Sequence, residues 1–259
     1  MTTSASVSTS APLDLLIRNG WVIDGMGRPR YQADVAIRGD RIVDVGALPD
    51  AVAEQVIDAT GKIVCPGLID CHSHSDATIL INPTAQSSIR QGITTEIVGN
   101  CGNSAAPVTK LSRSQGAGGF GKFTDDDESE YTFASLLETI DQMKTSCNLA
   151  WLVGHNTVRS AAGVQGPQAT EDQFKAMEGW INEAMEAGAI GFSTGLEFEP
   201  GRSCPPEEIV RLAKVLKPYD GIYTSHIRNR DAKVLDALDE FMNVVTTHEL
   251  RGEVSHMNI

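Results

Sequence analysis

Residues 63–74 read IVCPGLIDCHSH, an apolar strand-like run that closes on two histidines, His72 and His74. Alternate side chains of an extended chain share a face, so both imidazoles are predicted to point the same way and to be able to hold one cation. Five further apolar runs follow: TTEIVGNC (94–101), LAWLVGH (149–155), AIGFSTG (189–195), IYTSHIR (222–228) and EVSHMN (253–258). Helical patterns separate them, and six strands alternating with helices predict a parallel α/β fold. Five of the six runs carry a His or Cys at or near the end. Cys101 lies 29 residues after His72 and His256 lies 30 after His226, each interval about one βα unit, so these positions converge on neighbouring strands. In a TIM-type (β/α)8 barrel of roughly 250 residues the carboxyl ends of the strands form the active-site mouth. Imidazole and thiolate donors collected there suit Zn²⁺, with Cys101 able to add a sulfur at about 2.3 Å.

Working outward, residues 1–12 are a Ser/Thr/Ala tail expected to be disordered. Residues 13–60 hold short β-prone runs broken by turns, with Gly39-Asp40 reading as a two-residue hairpin turn, and predict a small antiparallel β module. The barrel is expected over residues 61–259. Within it, Thr170 and Gln173 form a capping box ahead of an apolar stripe of Phe174, Met177, Ile181, Ala184 and Met185, and Gly188 supplies the stop. A second helix is expected from Asp231 to about Thr247, with Val234, Leu235, Leu238, Phe241, Met242 and Val245 facing the core. The stretch QGAGGFGKFTDDDESE (115–130) reads as a solvated insertion; Asp125, Asp126 and Asp127 lack the spacing of a calcium loop.

The 259 residues carry 21 Lys and Arg against 34 Asp and Glu, a formal charge of −13 that opposes nucleic acid and anionic membrane surfaces as partners. No apolar run approaches the ~18 residues of a membrane span, and the N-terminus lacks the basic and apolar stretches of a signal peptide. A soluble, cytoplasmic protein is the expectation. Five irregularly spaced cysteines argue against a disulfide framework. Cys71 alternates away from the His72 and His74 face and Cys65, Cys147 and Cys204 fit no ligand spacing, so all four are read as packing or bystanders. His248, at a helix end, is read as surface.

The ordered set GLIDCHSHSD, VGNCG, VGHNTVR, GFSTGLEFEPG, TSHIR and EVSHMN, from about residue 13 to the last, resembles the N-acyl-D-amino-acid deacylase branch of the amidohydrolase superfamily. The HxH pair alone is shared with dihydroorotases and dihydropyrimidinases. The cysteine after the second strand, together with the absence of a lysine from AIGFSTG that could carry a carbamate bridge, points to the deacylase branch. The resemblance implies that Cys101, His226 and His256 hold a tight zinc, with His72 and His74 contributing to an adjacent, weaker position. It implies hydrolysis of N-acyl-D-amino acids. His155 matches no ligand and is read as supporting or structural. Phe198 in GLEFEPG stands where the family often has Tyr, so a hydroxyl contact to substrate is in question there. Arg228 and Arg230 are candidates for a substrate carboxylate or, equally, for an acid on the barrel rim. The chain stops just after the sixth barrel strand, whereas the family's acid/base Asp follows the eighth, so that Asp and the late strands of the β module are expected beyond Ile259, making the chain an incomplete barrel of about six βα units. The competing readings are a cyclic-amide hydrolase of the dihydropyrimidinase type and a metal-binding, non-catalytic remnant or truncated reading frame.

Overall fold

The computed structural model describes residues 12–76, 78–114 and 130–257. Residues 115–129 of the insertion, with its acidic triplet, therefore lie outside the described residues, as does nearly all of the N-terminal tail. The chain divides into two compact units, one ending at Gly67 and the other beginning at Leu68.

The first unit is a five-stranded sheet of β1 (Leu13–Val22), β2 (Tyr31–Arg38), β3 (Arg41–Gly46), β4 (Ala53–Asp58) and β5 (Ile63–Val64). Its order is β3-β2-β1-β4, and β5 also pairs with β1. Gly39 at φ +56° and Asp40 close the expected two-residue turn between β2 and β3. The antiparallel reading holds for β1, β2 and β3, but β4 and β5 add to β1 in parallel. Alternation along β2 puts Ala36 on one face and Ala33 and Val35 on the other, and β1, whose register shifts between Ile17 and Gly20, supplies Leu13 and Leu16 to the first cluster and Val22 to the second.

The second unit is a curled parallel sheet whose spatial order follows the chain: β6 (Leu68–Asp70), β7 (Ile93–Val98), β8 (Asn148–Gly154), β9 (Gly191–Gly195), β10 (Ile222–His226) and β11 (Arg251–Val254). That sequential order is the one found in a (β/α)8 barrel, with six of its eight strands present among the described residues. The helices are α1 (Gln86–Ile89), α2 (Lys110–Ser114), α3 (Phe133–Met143), α4 (His155–Ala161), α5 (Glu171–Ala187), α6 (Pro206–Ala213) and α7 (Val234–His248). No helix among the described residues is long and apolar enough to cross a membrane.

Helix α5 starts as its sequence dictates. The Thr170 hydroxyl accepts from the Gln173 N–H, the Gln173 side chain accepts from the Thr170 N–H, and Gly188 ends the helix at φ +117°. Its Met177, Ile181, Ala184 and Met185 are buried in one core with Val153 and Phe192 of the strands and Phe241 of α7. In α7 the buried stripe is Ala237, Phe241 and Val244, flanked by Val234, Leu238 and Val245, while Leu235 and Met242 are exposed. At about 100° per residue those two lie roughly 140–160° around the helix from Ala237, beyond the flanking positions and off the packed face.

Candidate metal centre

The polar residues gather at the carboxyl ends of the parallel strands, as the spacing predicts, but largely on the loops just beyond them. Strand β6 ends at Asp70, whose carboxylate accepts the His72 N–H at 3.0 Å and turns the chain. His72 and His74 therefore sit past the strand, with ring centroids 5.3 Å apart in an edge-on arrangement, rather than on extended backbone. Cys101 follows β7 in the left-handed region at φ +52°. The end of β9 comes so close that a Cβ on Gly195 would lie 2.1 Å from the Cys101 carbonyl, which leaves glycine as the residue that fits. Asn100 ties the two loops together, donating to Ser73 O at 3.2 Å and Ile97 O at 2.8 Å. Buried Glu96 fixes the HSHS segment by accepting from the hydroxyls of Ser73 and Ser75, on either side of His74.

The donor atoms converge. Cys101 Sγ lies 3.3 Å from His256 Nε2, 3.7 Å from His226 Nδ1 and 3.4 Å from His72 Nε2, and the two nitrogens of His226 and His256 are 3.1 Å apart. Donors held about 2.0–2.3 Å from a tetrahedral ion stand roughly 3.3–3.7 Å from one another, so Cys101, His226 and His256 fit a zinc-sized cation. A second set, His72, His74 and Cys101, also has its ligand atoms within 4.8 Å of one another and shares the sulfur. The histidine faces are aimed from outside. His226 Nε2 donates to Glu197 Oε2 at 2.8 Å, which leaves the Nδ1 lone pair directed at the cluster. Glu197 is in turn paired with Arg230 at 2.9 Å, and Arg230 reaches His256 Nδ1 at 3.3 Å.

Burial favours the uncharged forms of His72, His74, His226 and Cys101. Burial, reinforced by neighbouring His256 and His74, pushes the His72 imidazolium pKa down to about 4, and burial lowers those of His74 and His226 as well. Burial raises the Cys101 thiol to about 11 despite Arg230 nearby, so a cation must displace that proton to bind the thiolate. Burial also opposes ionisation of Glu197, but hydrogen bonds from His226 and Arg230 prevail and hold its carboxyl below its ordinary range.

The other sequence candidates divide. Phe198 packs edge-on against His226 at 4.6 Å between centroids. Arg228 is committed to a rim acid: its guanidinium makes two 2.8 Å bonds to Glu240 of α7, the alternative role the sequence left open. His155, with Glu208 and Cys204, forms a third constellation with metal-donor spacing. There, however, Arg159 Nε sits 2.7 Å from Glu208 Oε1 and His155 Nε2 is 2.8 Å from the same oxygen, all three side chains fully buried. A guanidinium already supplies the positive charge, so this cluster is a closed ion pair. Cys65 and Cys71 are exposed, Cys147 and Cys204 buried. His248 is half-buried rather than on the surface and bonds the Val210 carbonyl at 2.7 Å. Glu197, Glu96 and Asn100 escape a sequence reading centred on donors; Glu197 had a signal, as the first acid after β9 in GLEFEPG.

The amidohydrolase family model matches residues 55–217. The chain belongs to that family. It is 41% identical over 238 residues to the N-acyl-D-glutamate deacylase of Alcaligenes xylosoxydans xylosoxydans, covering 90% of this chain and 47% of that protein. The crystal structure of a D-aminoacylase superposes with a TM-score of 0.88 at 34% identity, over 95% of this chain and 52% of the other. The N-acyl-D-glutamate deacylase of Bordetella bronchiseptica, solved with zinc and a phosphonate mimic of the tetrahedral intermediate, gives 0.83 at 36% identity over 93% and 51%. An L-hydantoinase of the dihydropyrimidinase type, from Arthrobacter aurescens, reaches 0.62 at 16% identity over 93% and 52%, a likeness of fold alone. The chain thus spans about half the length of the curated relatives it matches.

Proposed function

We propose that this chain carries the metal-binding part of a zinc-dependent hydrolase of N-acyl-D-amino acids, releasing a carboxylate and a D-amino acid. The observation that carries the reading is the triangle of Cys101 Sγ, His226 Nδ1 and His256 Nε2, with edges of 3.1 to 3.7 Å. Similarity to the N-acyl-D-glutamate deacylases and the D-aminoacylase supports the substrate class, and the zinc of the Bordetella protein supports the metal.

In this reading Cys101, His226 and His256 hold the tight zinc, and His72 and His74 face an adjacent, weaker position that shares the Cys101 sulfur. What zinc supplies when bound is Lewis acidity toward the amide carbonyl and a water made nucleophilic near pH 7. Glu197 holds the His226 proton on Nε2 and so keeps Nδ1 available. Glu197 itself is paired with Arg230 and His226, so it positions His226 and is not the carboxylate that moves the proton to the leaving amine. The domain bounds of 13–60 and 61–259 belong to this proposal. So does a cytoplasmic location, which the five free cysteines, one of them a metal donor, support.

The test is amine release from N-acetyl-D-methionine, N-acetyl-D-glutamate and their L isomers by the protein with zinc supplied. Turnover of D but not L substrates is expected. A protein inactive on every N-acyl-D-amino acid yet able to open hydantoin rings would overturn the assignment.

A further inference from the structure

Beside the donor cluster, Glu197, Phe198 and Arg202 after β9 and Arg228 and Asn229 after β10 line a recess of about 300 Å³. Two of its three charges are already matched: Glu197 by Arg230, and Arg228 by Glu240. Arg202 differs. Its guanidinium makes no hydrogen bond or ion pair among the described residues, and the side chain is exposed. Its backbone is nevertheless fixed, with the N–H donating to Phe198 O at 2.7 Å and the carbonyl accepting from Arg228 Nη1 at 2.7 Å. The recess therefore has one excess positive charge, on a residue whose root is held and whose head is uncommitted.

A guanidinium fork matches a carboxylate in shape and charge, and Phe198 gives the recess an apolar wall against which methylenes can pack. The unbranched acidic side chains have that composition, a short methylene stem ending in a carboxylate. We propose that Arg202 binds the side-chain carboxylate of an acidic N-acyl-D-amino acid and selects D-glutamate or D-aspartate derivatives over neutral ones. The proposal rests on the deacylase reading and names the substrate class for that site. Glu197 does not repel such a ligand, because Arg230 neutralises it.

The probes are D-glutamate and D-glutamine, nearly identical in shape, different in side-chain charge and immune to amide hydrolysis at the acyl position. Calorimetric titration of the zinc-loaded full chain is expected to show D-glutamate binding about tenfold more tightly, a charge-assisted bond's worth, with the ratio shrinking at high salt. R202M should bring the ratio near one and R202K should restore part of it, while both variants melt as the parent does because the side chain is exposed. A ratio near one in the parent overturns the proposal, as does a ratio that survives R202M. Equal weakening of both ligands in R202M would place Arg202 on the α-carboxylate and overturn the side-chain assignment. Failure of the deacylase reading shows separately, as absence of amine release from any N-acyl-D-amino acid, and leaves this binding ratio readable.

Discussion

Two constellations in the parallel-sheet unit offer histidine and cysteine at metal-donor spacing, and they behave as opposites. In the first, Cys101, His226 and His256 present sulfur and nitrogen donors to a common point, and the outer nitrogen of His226 is held by Glu197, itself paired with Arg230. In the second, His155, Cys204 and Glu208 surround a position that the Arg159 guanidinium already serves. Arg159 also donates to the carbonyls of Pro200, Gly166 and Pro167, so every edge of that cation is taken up by the protein. Spacing alone therefore does not make a metal site. What separates the two is whether the positive charge is built in covalently or has to be recruited, and each substitution below is chosen to break one cluster without the other.

The largest effect is expected from Cys101→Ala. Removing the sulfur shared by both donor sets should take zinc from about one per chain to near zero by elemental analysis, with the far-ultraviolet circular dichroism unchanged. Full retention of zinc would sink the ligand assignment. Cys204→Ala, in the other cluster, should leave the zinc content as it was.

Next in size is Glu208→Ala. It strands Arg159 as a buried charge without a counterion, a loss of about 3–5 kcal/mol, which for a chain of this size lowers the melting temperature by roughly 6–20 °C. Zinc per folded chain should not change. A melting temperature within a degree or two of the parent would show that the buried pair is not formed.

Smaller again is Glu197→Gln, which weakens the grip on His226 Nε2 without touching a donor. Outer-shell changes of this kind cost about 10–100-fold in metal affinity, measurable by competition with a chromophoric chelator. The melting temperature of the metal-free protein should barely move. If zinc affinity were unchanged, Glu197 would not be what orients His226.

This ordering also marks what the sequence makes legible. Cys101, His226 and His256 can be found from spacing because each βα unit returns the chain to the same end of the sheet after about 30 residues, so a periodic code exists. His72 and His74 are found as a pair, although the Asp70 turn moves them off the strand. Arg159 and Glu208 are 49 residues apart and meet through the packing of α4 against the loops around α6, with no periodic relation that a reader of sequence could use. Glu197 and Asn100 lie in the same position: their value depends on loop conformation, set by Cys101 and Gly195 touching across two strands. The parallel addition of β4 and β5 to β1 is likewise decided by a crossover and not by local alternation.

The smallest expected effect concerns acid. His155 is fully buried, and burial lowers its pKa from the ordinary 6.5 even though the Glu208 carboxylate pulls the other way. Below about pH 6.5 the unfolded chain therefore binds a proton at this residue that the folded chain refuses. The unfolded state then carries more protons and folding stability falls with acidification, by at most about 1.4 kcal/mol per pH unit for one proton. Glu208 contributes in the same direction but lower down. The hydrogen bonds from His155 and Arg159 overcome burial and hold its carboxyl below the ordinary 4.5, so its share is lost only as pH falls below that value. His155→Gln separates the two, because the amide can still donate to Glu208 while having no proton to gain. Urea unfolding of the metal-free protein at pH 7 and 5.5 should show a shallower loss for the variant than for the parent. His72, His74 and His226 cancel from the comparison, being present in both. Identical slopes would mean that His155 takes up its proton as readily in the folded chain as in the unfolded one, and a steeper loss in the variant than in the parent would mean that the folded cluster holds His155 protonated beside Arg159.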